Sequence, residues 1–146
     1  MHVELSKQVD RPPADVWRYI AEHHLENHPK WDPAITKLEQ EGSGPLGVGA
    51  QLHMVRKDMG REIPMEMEFT AWDPNHKMAF EVDAKQMHMN AHMALVAQGD
   101  DATQLTIAVD AEGKGFAKAM MPMMGGRMKK QITASLDHIK DALEGS

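Results

Sequence analysis

Nine histidines, 14 methionines and 22 carboxylates are the groups of this 146-residue chain that could do chemistry, and there is no cysteine among them. Without thiols neither a disulfide framework nor a thiolate metal site is possible. His23, His24 and His28 form the tightest histidine cluster. His24 and His28 are four apart, so on one helix they could share a metal ion. Pro29 follows His28 at once, which disfavours helix there, and only Glu22 or Glu26 could offer a third ligand. The expectation is therefore no metal and no cofactor, with these histidines facing solvent. His88 and His92 repeat the spacing in an alternating segment. In a strand they would stand about 13 Å apart, too far to share an ion.

Acid–base chemistry would need groups converging in a pocket, with a donor for a developing enolate. Tyr19, Glu66, Glu68, Arg56 and Arg127 are the candidates. Glu66 and Glu68 alternate with apolar residues and should point outward. Arg56 shares parity with Leu52 and Met54 and could present its guanidinium near the end of a pocket, although a strand-end arginine ordinarily reaches solvent. No Ser/His/Asp set, phosphate loop or nucleotide fingerprint is visible.

The elements that would position these residues are readable from periodicity. Val3, Leu5 and Val9 share one face of a first strand. Asp10, Pro12 and Pro13 then open a helix with Val16, Trp17 and Ile20 as its stripe, fading near His24. Pro29 and Pro33 bracket a short turn or helix containing Trp31. Strands are expected at Ile35 to Gln40, Ala50 to Lys57, Ile63 to Thr70, Met78 to Val82, Met87 to Leu95 and Leu105 to Val109. From Gly115 onward Met124, Met128, Ile132, Ser135, Leu136, Ile139 and Leu143 recur at three- and four-residue steps of a long helix. Pro122 belongs to its first turn or kinks it. Hairpin-linked strands form an antiparallel sheet with helices on one face, and a strongly twisted sheet wrapped on one helix leaves a cavity.

Length fits one domain spanning residues 1–146. The N-terminus lacks the apolar stretch of a signal peptide and no run could span a bilayer, so a cytoplasmic, unanchored protein is expected. A net charge of −6 argues against nucleic acid or anionic lipid as a partner, so no stable membrane association is expected. The one basic cluster, Arg127, Lys129 and Lys130, reads as a solvated helix face.

Four segments carry a resemblance. They are Val9 to Trp17 (VDRPPADVW), Lys30-Trp31-Asp32-Pro33, Gly47-Val48-Gly49 and Ala71-Trp72-Asp73-Pro74, followed by a hairpin at Gly99 to Thr103 and the terminal helix through Glu144. In this order they resemble the SRPBCC superfamily of START-like, polyketide cyclase and pollen-allergen-like proteins, and most closely its bacterial polyketide cyclase/dehydrase and lipid transport group. The resemblance implies the α+β helix-grip fold: about seven curved antiparallel strands around the C-terminal helix, with one or two short helices after the first strand. It also implies a deep hydrophobic pocket between sheet and helix, and places Trp31 beside its mouth.

With that fold, the inward strand and helix faces supply Met54, Met65, Met67, Phe69, Phe80, Met89, Met93, Ile107, Met124 and Met128 as ligand-binding candidates, with Trp31 and Arg56. Methionine is flexible and polarizable and suits an adaptable lining. The expected function is binding or transport of a small hydrophobic, lipid- or polyketide-like molecule. The alternatives are a polyketide cyclase or dehydratase using the same pocket, and a protein-interaction domain whose cavity is filled. A homodimer is compatible with the sequence.

Overall fold

Period-two alternation with one apolar face per strand fixes most of the architecture. The computed structural model describes residues 1–145. Seven strands, β1 (His2–Val9), β2 (Ile35–Gln40), β3 (Gln51–Asp58), β4 (Arg61–Asp73), β5 (Lys77–Ala84), β6 (Met87–Ala97) and β7 (Thr103–Gly113), make one sheet. Its order is β1-β7-β6-β5-β4-β3-β2, and every neighbouring pair is antiparallel. Between β1 and β2 lie α1 (Pro13–Trp17), a π-helical turn over Arg18–Glu22, and α2 (His24–Trp31). The long helix α3 (Ala117–Glu144) closes the chain and packs on β1, β7 and α2. This is the helix-grip α+β fold. No helix among the described residues is long and apolar enough to cross a membrane.

Register stacks inward residues across the sheet. Met54 pairs with Met65, Phe69 with Phe80, Met78 with Met93, and Met93 with Ile107. Ile132, Leu136 and Ile139 of α3 close over this face and are buried. The outer face carries the alternating polar residues, among them His53 bound to Glu66 and the half-exposed His88 and His92.

Two local features depart from the sequence expectation. Strict alternation would put Trp72 opposite Phe69. A bulge at Thr70 shifts the β4–β5 register between Phe69 and Ala71, and an extra unpaired residue exchanges the faces beyond it. Trp72 therefore meets Phe69 edge-on at 5.2 Å and Trp17 of α1 at the same distance. The second concerns the helices. The first helical stretch ends at Glu22, close to where the sequence has it fading, but a new helix starts at His24 and Pro29 does not end it: α2 runs through Pro29 to Trp31. Proline removes one hydrogen bond from a helix this short, while a buried face of His24, His28 and Trp31 holds the segment in place. Short helices rest on such packing more than on propensity. Pro122, likewise, lies inside α3, beyond its first turn.

The entry into α1 is tied down by Thr103. Its hydroxyl is fully buried and donates to the Arg11 carbonyl at 2.8 Å. Thr103→Val keeps the shape and removes that hydrogen bond, so it should lower unfolding free energy by about 1–2 kcal/mol. Urea titration checks this; a loss below about 0.3 kcal/mol would show that the bond contributes nothing net.

Candidate functional site

The π-helical turn sets the first wall of the site. Its closing bond runs from His23 N–H to the Arg18 carbonyl at 3.0 Å, five residues back. The turn leaves the Ile20 carbonyl to accept from His24 Nδ1 at 2.8 Å. A carbonyl can only accept, so Nδ1 carries the proton and His24 Nε2 is a bare lone pair. One helical turn on, the His28 ring lies 4.5 Å from that of His24, and Trp31 stacks on His28 at 4.9 Å. Phe69 and Phe80 of the sheet meet His24 edge-on.

His24 and His28 are thus interior residues, contrary to the solvent-facing expectation; His23 alone of the three is exposed, beside Glu26. A helical stripe of Ile20, His24, His28 and Trp31 is the signal that would have found them. It is hidden because histidine counts as polar in periodicity. Burial lowers the His24 imidazole to about 4, against the Ile20 carbonyl that favours its charged form. His28 is held well below its ordinary value by burial, then by His24 and Arg56. Both rings are neutral.

The second wall is polar. Arg56 of β3 faces inward and pairs with Asp32, at the C-terminal end of α2, through Nη2 at 3.2 Å. The side chains are 16% and 14% exposed, so Arg56 does not reach out into solvent as a strand-end arginine would. Gln131 of α3 turns its amide oxygen to the same guanidinium. Burial pushes the Asp32 carboxyl up, with the Arg56 charge opposing it. Ser135 of α3 donates to the Trp31 carbonyl at 3.0 Å and locks helix to helix behind this group. Among the described residues three buried side-chain nitrogens lack a hydrogen-bond partner: His24 Nε2, His28 Nδ1 and Arg56 Nε.

These walls line an inner cavity of about 100 Å³ between sheet and α3. Trp31, Met54, Met65, Phe80, Met89, Met93, Ile107, Met128 and Arg56, all named from the sequence, line it. His28, Asp32, Gln131 and Ser135 also line it and had no such role there. An outer groove of about 350 Å³ adjoins it, sharing Arg56, Met65, Met128 and Gln131, and there Met124 lies. Met67 and Phe69 are buried in the core and line neither space. Of the acid–base candidates, Arg127 lines the groove, Glu66 and Glu68 sit on the outer face, and Tyr19 packs its ring on Trp31 at 5.8 Å.

A family model described as Polyketide cyclase / dehydrase and lipid transport matches residues 1–144. A comparison with curated protein sequences finds no match. Among solved structures the chain is similar to the Zhui aromatase/cyclase from Streptomyces sp. R1128, with a TM-score of 0.83 at 17% identity, covering 99% of this chain and 93% of that one. It is also similar to truncated norcoclaurine synthase from Thalictrum flavum, with a TM-score of 0.73 at 19% identity, covering 98% and 92%. At these identities the likeness shows the fold alone.

Proposed function

This chain belongs to the polyketide cyclase / dehydrase and lipid transport family, and from that premise we propose that it binds a small, largely apolar molecule carrying one oxygen function. One observation carries the reading. His28 and Arg56 line a cavity walled by Met54, Met65, Met89, Met93 and Met128, and each carries a buried side-chain nitrogen, Nδ1 and Nε, with no hydrogen-bond partner. Leaving such atoms unpaired costs about 1–3 kcal/mol each. A ligand hydroxyl or carbonyl that satisfies them recovers part of that, while the methionine walls gain by area burial and adapt to its shape. The inner cavity suits about one ring and the groove a tail. Two adjoining spaces support this reading over a domain filled by its own side chains.

The test compares 4-hexylphenol with hexylbenzene by calorimetry. The phenol should bind about tenfold tighter, a difference of about 1.4 kcal/mol. His28→Phe should remove most of that preference and leave hexylbenzene binding nearly unchanged. Equal affinities in the native protein would sink the polar-anchor reading.

A cyclase- or dehydratase-type enzyme is a second reading, favoured by the convergence of His28 and Arg56 on one cavity. His28 would accept a proton from carbon and Arg56 would face the resulting enolate oxygen. Against it stands the depressed basicity of His28: a base whose conjugate acid lies well below neutrality drives proton transfer poorly. Binding is the better-supported reading.

A further inference from the structure

The rim of the outer groove exposes side chains that a folded domain ordinarily hides. Phe116, capping the start of α3, is 87% exposed, Met123 is 76% and Met120 43% exposed along the same flank of the helix, and Met59 is 82% exposed at the β3–β4 turn. Phe116, Met120, Met123, Arg127 and Lys130 recur at steps of four, three, four and three, so they form one stripe. The hairpin joins it directly: Arg127 reaches the Met59 sulfur at 3.1 Å and pairs with Asp58. Two elements distant in sequence thus put their large apolar side chains on one edge.

Met59 is out of place as a turn residue. It and Gly60 form a two-residue hairpin loop with φ of 52° and 78°, a geometry that asparagine and glycine favour and methionine does not. A flexible apolar side chain held there, fully outward, gains nothing for the fold.

The charge around this edge is also distinct. From Gly113 to Leu136 the chain carries Lys114, Lys118, Arg127, Lys129 and Lys130 and no acid, within a molecule of net charge −6. Asp83 holds Lys114 at 2.5 Å and Asp58 holds Arg127. Arg61, Lys118, Lys129 and Lys130 are exposed, and no ion pair of the described residues engages them. Of the free α3 lysines Lys130 continues the apolar stripe, while Lys118 and Lys129 project from the other side of the helix. With Arg61 two residues from Met59, these exposed aromatic and thioether side chains beside cations, on a helix whose other face is committed to the core, fit a headgroup layer.

We propose that the Phe116–Met120–Met123 stripe and Met59 form a reversible docking surface for an anionic lipid bilayer, set against the open side of the groove. The occupant follows from complementarity: the apolar tips enter the interfacial layer while the cations meet lipid phosphates. This does not rest on the ligand reading, because the surface is complete without one.

The ligand-free protein is tested by co-sedimentation with vesicles of phosphatidylcholine containing about one third phosphatidylglycerol, at 0.1 M NaCl. Binding is expected there, with at least a fivefold weakening at 0.5 M NaCl, since the Debye length shortens from about 10 Å to about 4 Å. Phe116→Ser with Met123→Ser leaves every charge in place and should weaken binding at least tenfold, while its circular dichroism, melting temperature and hexylphenol affinity stay unchanged. Native protein that remains in the supernatant at 0.1 M NaCl overturns the proposal and leaves an acidic protein as the better partner for this face. A double variant that sediments like the native protein overturns it too, as binding by charge alone.

Discussion

Replacing Asp32 with alanine is expected to lower the unfolding free energy by about 3–5 kcal/mol, a large part of the stability of a domain this size. Both partners of the Asp32–Arg56 pair are at least five-sixths buried, and Gln131 can accept from the guanidinium but cannot neutralise it. Asp32→Ala thus strands a cation against a methionine wall, with Nε already unpartnered. Asp32→Ala with Arg56→Met removes both charges and keeps volume at Arg56, so it should return most of the loss. Urea unfolding of the two variants at pH 7 measures this. If the single variant loses less than 1 kcal/mol, water reaches the guanidinium and the polar wall is wetter than described. The double variant should also lose the preference for hexylphenol over hexylbenzene, because one of the two unpartnered atoms is gone.

Acidification from pH 7 to pH 5 should cost at least 2 kcal/mol of stability through His24 and His28. In the unfolded chain a histidine titrates near 6.5, whereas burial holds folded His24 to about 4. Between these values the unfolded state binds more protons, so stability rises with pH across the window and is lost as pH falls through it. For His24 alone the expected loss by pH 5 is about 2 kcal/mol. His28 shifts the same way and adds to it. Asp32 acts in the opposite sense, since a raised carboxyl takes up its proton first in the folded state. Its gain lies above its unfolded value near 3.8 and trims the lower part of the window. Urea unfolding at pH 7, 6 and 5 tests this, with His24→Phe as the partner variant. That variant loses the Ile20 bond and some stability throughout, but its pH slope should flatten by about 2 kcal/mol. A native protein equally stable at pH 5 and pH 7 would mean that the two rings are solvated.

Fold and apolar lining were legible in the sequence for one physical reason. Met65, Met67 and Phe69 alternate with Glu66 and Glu68 because a pleated strand sends successive side chains to opposite faces. Met128, Ile132, Ser135 and Ile139 recur because a helix returns every 3.6 residues. Those periods need no tertiary knowledge, so strands, long helix and candidate walls could all be read from residue order. What the sequence could not separate is core from lining. Met67 and Met65 share one face of β4, yet only Met65 borders the cavity.

The polar wall and the rim were decided by the tertiary structure. Asp32, Arg56 and Gln131 are distant in the chain, and nothing local says that α2, β3 and α3 bring them into one cluster. His24 and His28 carry polar side chains on a segment broken by proline, and only the packing of Trp31, Phe69 and Phe80 around them makes an interior helix the favoured state. The bulge at Thr70 turned Trp72 inward, and a bulge reflects how a whole sheet curves rather than any residue's preference. Net charge, likewise, is a property of the sequence by itself, while its segregation beside Met59 and Phe116 exists only once a hairpin and a helix meet. Periodic burial is written residue by residue; convergence of unlike groups is written only by the contacts that folding makes.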